Sequence, residues 1–135
     1  MDKLLVDTNI IVDLLAKRFN FYQEAQELFT LADEKKVKLY ISSLTFANTH
    51  YILTKGLNTD VVRKILIKLK LLVTILPLDE KIIDLALSSD FNDFEDAIQY
   101  YSAVENDLDM IITRNKKDFK SSRLIVLTAK EYLNR

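Results

Sequence analysis

Apolar positions along the chain alternate between short unbroken runs and longer stretches with a helical period. Lys3 to Asp7 (KLLVD) is a run suited to a buried strand, and an apolar helix follows from about Asn9 to Lys17. Phe21 to Lys36 continues as an amphipathic helix in which Tyr22, Ala25, Leu28, Phe29 and Ala32 share a face. Leu39 to Ser42 reads as a second strand, and Leu44 to Lys55 as a helix that Gly56 ends. Asp60 to Leu71 is helical with Val61, Ile65 and Leu69 on one face, and Val73 to Leu76 is a strand before Pro77. Lys81 to Leu87 makes a short helix and Asp93 to Asn106 a longer one. Met110 to Thr113 and Leu124 to Leu127 are brief strands, and Ala129 to Asn134 closes with a helical turn or two. This alternation predicts an α/β fold, one domain over residues 1–135, with a central parallel β-sheet covered on both faces.

Composition sharpens this picture. One Gly and one Pro in 135 residues favour long regular elements, and 49% apolar with 29% charged residues is a globular balance. Without Cys there is no disulfide framework, thiolate nucleophile or cysteine zinc site. Charges at Asp2, Lys3, Asp7 and Asp13 interrupt any apolar leader. The later apolar stretch, Leu71 to Leu78, is far below the roughly 20 residues of a membrane span. No membrane association and a cytoplasmic setting are therefore expected. A net charge of −1 argues against a generic polyanion binder, but the charge is uneven. Asp79 to Asp96 holds seven acids against one Lys, and Arg114 to Arg123 five bases against one Asp.

In open α/β sheets, ligands gather beyond the carboxyl ends of strands, where Asp7, Ser42, Ser43, Thr113 and Asn115 fall. Asp93 and Asp96 would join them if the long loop before Asp93 folds over the site. A lone carboxylate closing an apolar strand needs a cation or several donors. Asp7 is equally suited to capping the next helix, as are Thr8 and Asn9. Asp93 followed by Asp96 has the spacing of a capping box, which is compatible with Asp96 also facing a cleft. Glu95 is expected to point elsewhere, into solvent. Oxygen ligands from separate segments, with no His or Cys, suit Mg²⁺ or Mn²⁺. The only histidine, His50, lies within a helical run, and no P-loop or GxGxxG segment exists. Aspartyl-phosphate chemistry would want an acid two residues after Asp7, where Asn9 stands. The strip RNKKDFKSSR is either a solvated loop or, through Arg114, Lys116 and Lys117, a grip on a phosphodiester backbone.

Taken in order, VDTNIIVD, ISSLTFANTHYIL, DFEDAIQYYSA and MIITRNKKDF resemble the PIN-domain family, particularly VapC-like toxins, over essentially the whole chain. The resemblance implies a three-layer α/β/α sandwich and a Mg²⁺- or Mn²⁺-dependent ribonuclease, commonly dimeric and inhibited by an antitoxin protein. On it, Asp7 and Asp96 match the family's metal-ligating aspartates. Thr113 and Asn115 match a T-x-D or T-x-N segment, with Asp118 a substitute carboxylate nearby and Asn9 and Asp93 in support. Asn48 departs from the pattern: many members carry a glutamate on this helix, so one negative charge is expected to be missing. Asn48 is then expected to position a water or a phosphate. Two alternatives stay open, a non-catalytic module binding RNA or protein through the same cleft, and a phosphatase-like enzyme using Asp7 as nucleophile.

Overall fold

A computed structural model describes residues 1–135. Its five strands are β1 (Lys3–Val6), β2 (Lys38–Ser42), β3 (Val73–Leu76), β4 (Met110–Ile112) and β5 (Ile125–Leu127). They pair in the order β3-β2-β1-β4-β5, every pair parallel. Seven helices cover the sheet: α1 (Thr8–Leu15), α2 (Tyr22–Asp33), α3 (Ser43–Leu53), α4 (Thr59–Leu69), α5 (Glu80–Leu87), α6 (Phe94–Glu105) and α7 (Ala129–Leu133).

The pleat distributes the core between two layers. Leu4 and Val6 of β1 turn to one face with Leu39, Ile41, Met110 and Ile112, where they meet side chains from α1, α2, α3, α4 and α7. Leu5 and Ile111 turn to the other face, against Tyr100 and Ala103 of α6. α5 packs on α6 there through Ile82, Ala86, Ala97 and Ile98. The result is the expected three-layer α/β/α sandwich with a parallel sheet. No helix is long and apolar enough to cross a membrane.

Gly56 closes the end of α3 as expected, its N–H donating to the Leu53 carbonyl at 3.2 Å. Two local expectations change. On α4 the buried stripe is Val62, Leu66 and Leu69, while Val61 is exposed. The strip after β4 is not a free loop, because Lys116–Phe119 form one 3-10 turn whose Phe119 is fully buried. The Phe119 ring lies 6.1 Å from that of Phe91, which anchors the α5–α6 loop.

Sheet order also decides where a site can form. The chain steps from β1 outward to β2 and β3, then returns to the other side of β1 for β4 and β5. The switch between β1 and β4 leaves a crevice at their carboxyl ends. α6 runs antiparallel to the strand it feeds, so its N-terminus lies at that same edge. Nothing has to fold over for Asp93 and Asp96 to arrive there.

Candidate active site

Asp7 is built by the end of β1. Its N–H still joins the ladder, donating to the Ile112 carbonyl at 3.0 Å, while its own carbonyl accepts from Ile10 and Ile11 to open α1. The side chain is 7% exposed and accepts four hydrogen bonds. Thr8 N–H and Gln99 Nε2 donate to Oδ1 at 2.7 and 3.0 Å. Thr113 Oγ1 and Asn9 Nδ2 donate to Oδ2 at 2.6 and 3.2 Å. The capping role is thus real but is one contact of four. All four lone-pair sites of the carboxylate are used, and every donor is neutral.

Gln99 was not among the residues expected at the site. It is 4% exposed, and its Oε1 accepts from Thr45 Oγ1 at 3.3 Å. Ser42 donates to Thr45 in turn, and Thr8 shares a 3.0 Å hydroxyl contact with Thr45. A buried polar network therefore fixes Asp7 from below. The one signal for Gln99 in the sequence is its place three residues after Asp96, on the same helical face.

Asp96 is the opposite case. Asp93 caps α6 by accepting from Asp96 N–H at 3.0 Å, but the reciprocal half of a capping box is absent. The half-buried Asp96 carboxylate has neither a donor nor a cationic partner. Burial first, then the like charges of Asp93, Asp7, Asp118 and Glu95, push its pKa up to about 7.

Asp7, Asp96, Asp93, Asn48, Asn115 and Asp118 all face one cleft of about 560 Å³. Thr113 is buried beneath it, and Asn115 N–H donates to its hydroxyl at 3.1 Å. Glu95 also faces this cleft, contrary to expectation: Asn48 Nδ2 donates to Glu95 Oε2 at 3.3 Å. α3 lends Tyr51 and Ile52 to one wall, and the turn after α1 lends Arg18. His50 is not among the lining residues.

The basic strip divides. Arg114 turns to Asp13, donating from Nε at 2.7 Å and from Nη2 at 3.1 Å, and stacks 4.1 Å over the Phe21 ring. Asp13 is buried, so this pair is structural in position. Lys116 pairs with Glu131 at 3.0 Å. Lys117 alone of the three borders the acids, in a hollow of about 240 Å³ that shares Asp93, Asp96 and Asp118 with the main cleft.

The donor set is all oxygen, which suits a hard divalent ion. No three acidic or histidine side chains stand close enough to enclose one by themselves. An ion here would be held by the two aspartates and completed by water and phosphate oxygens, the habit of Mg²⁺.

Residues 3–117 match the family model of the PIN domain. Ribonuclease VapC1 of Aquifex aeolicus (strain VF5) is 30% identical over 142 residues, spanning 99% of this chain and 95% of that protein. A chain of a toxin–antitoxin complex from Klebsiella pneumoniae superimposes with a TM-score of 0.70 at 26% identity, covering 93% of this chain and 97% of that one. One from VapBC2 of Rickettsia felis, bound to a DNA fragment from their promoter, superimposes with a TM-score of 0.67 at 21% identity, covering 93% and 96%.

Proposed function

The chain belongs to the PIN-domain family, and on that premise we propose that the acidic cleft is the active site of a Mg²⁺- or Mn²⁺-dependent endoribonuclease, the toxin of a two-component toxin–antitoxin pair. One observation carries the reading: Asp96 faces the same cleft as Asp7 with no donor or cation to meet its charge. A carboxylate in that state is a site for a cation.

Asp7 and Asp96 hold the ion, and Asn115 and Asn48 orient water or phosphate beside it. Asp7 keeps its place through Thr8, Gln99 and Thr113, and Asn9 makes the longest of its four bonds. Bound there, a divalent ion would lower the pKa of a water and offset charge on the phosphate, and hydrolysis would leave a 5′-phosphate and a 3′-hydroxyl. Lys117 and Lys120 line the hollow beside the acids and meet the RNA backbone, with Arg18, 3.8 Å from Asp13, at the cleft edge. Arg114 and Lys116, already paired with Asp13 and Glu131, hold the scaffold. The inhibitory partner is an antitoxin that covers the cleft, and the working form is a homodimer in the cytoplasm.

The test is cleavage of single-stranded RNA by purified protein with Mn²⁺ or with a chelator. Cleavage is expected only with metal, and Asp96→Asn is expected to slow it on the order of 10²- to 10³-fold, the scale of one lost electrostatic stabiliser. Undiminished cleavage by that variant would mean the metal carboxylates are wrongly assigned. Asn48, neutral on the cleft wall, favours a second reading as a binding module. Metal-independent RNA binding without turnover would establish it.

A further inference from the structure

Glu95 occupies the second position of α6 and is exposed. A free glutamate there would extend into water, away from its like-charged neighbours. Instead Asn48 on α3 reaches across and donates to its Oε2, tying together two residues 47 apart in sequence. The tie keeps a further carboxylate on the cleft that Asp7, Asp96, Asp93 and Asp118 also face. No lysine or arginine pairs with Glu95 to account for its position. The positive end of the α6 dipole offsets part of the repulsion.

A plain interhelical clip between α3 and α6 would explain the hydrogen bond but not the charge. Glutamine at residue 95 would accept from Asn48 equally well and remove the repulsion. The carboxylate gains from the α6 dipole but adds to the negative charge around Asp96.

We propose that Glu95, oriented by Asn48, is a positioning residue of the metal site. It supplies from α6 the negative charge that α3, bearing Asn48, does not, and it tightens the cleft's hold on a divalent cation. This rests on the nuclease reading above. Because no third acid stands close enough to enclose an ion with Asp7 and Asp96, Glu95 acts from outside the ligand set, on the waters that complete it. The charge expected to be missing from the site is therefore relocated.

Calorimetric titration of Mn²⁺ into the folded protein without RNA tests this apart from activity. Glu95→Gln keeps the clip and removes the charge. It is expected to weaken Mn²⁺ binding roughly 10- to 100-fold, the range for outer-shell partners, with no loss of thermal stability in chelator. Asn48→Glu combined with Glu95→Gln returns a carboxylate from the α3 side and is expected to recover most of the lost affinity. Wild-type affinity in Glu95→Gln, with binding lost in Asp96→Asn, would overturn the inference and leave the nuclease reading standing. Loss in Glu95→Gln without recovery in the double variant would mean that a carboxylate from the α3 side does not replace Glu95, and would also overturn it. No Mn²⁺ binding by the wild-type protein would remove both.

Discussion

The floor and the wall of the cleft treat an aspartate in opposite ways. On the floor, Asp7 is buried and met by four neutral donors, two from α1, one from α6 and one just after β4. On the wall, Asp96 is less buried yet has no donor, and Asp93, Asp118 and Glu95 add repulsion. Burial alone therefore does not decide how an aspartate is satisfied: Asp7 meets four donors from the fold, whereas Asp96 meets none. Asp13 gives a third reference, a buried acid completed by the Arg114 guanidinium.

These states predict stability effects of different size and sign. Arg114→Ala strips the cation from a buried acid and, with Arg18 still 3.8 Å away, is expected to cost about 3 kcal/mol in denaturant unfolding. Retained stability with weakened RNA binding would instead move Arg114 to the substrate. Asp7→Asn places an N–H₂ against two of the four donors and is expected to cost about 2 kcal/mol.

Asp96→Asn should act in the other direction. The folded state holds the Asp96 proton up to about pH 7, while the unfolded chain releases it near the ordinary aspartate value of 3.8. The folded state therefore binds more protons between those values, and wild-type stability falls as pH rises through that window. Asp96→Asn removes the loss. Discounted for solvent screening, the gain is about 1–2 kcal/mol at pH 8 and nil below pH ~4 in metal-free buffer. A stability cost at pH 8 would erase the contrast between floor and wall.

Much of the fold was legible because each strand is an unbroken apolar run bounded by helical periods. The strand order was not, since nothing in KLLV or MII specifies that β1 and β4 are neighbours. The face of α4 was misread because Val61 and Val62, then Ile65, Leu66 and Ile67, leave the helical period two ways to run. At the site, Asp7, Asp96 and Thr113 were legible as polar groups where apolar elements begin or end. Gln99 was hidden, because a neutral amide inside a helix carries no signal until its partner 92 residues away is known. Arg114 and Lys116 were read by charge alone, and their partners Asp13 and Glu131 lie in other segments. Glu95 was assigned to solvent by helical geometry, which could not register the reach of Asn48.

The most direct test of the central claim is anomalous scattering from crystals soaked in Mn²⁺. The account predicts a peak touching both Asp7 and Asp96, absent in Asp96→Asn. A crystal whose protein cleaves RNA with Mn²⁺ while that peak lies elsewhere would contradict it.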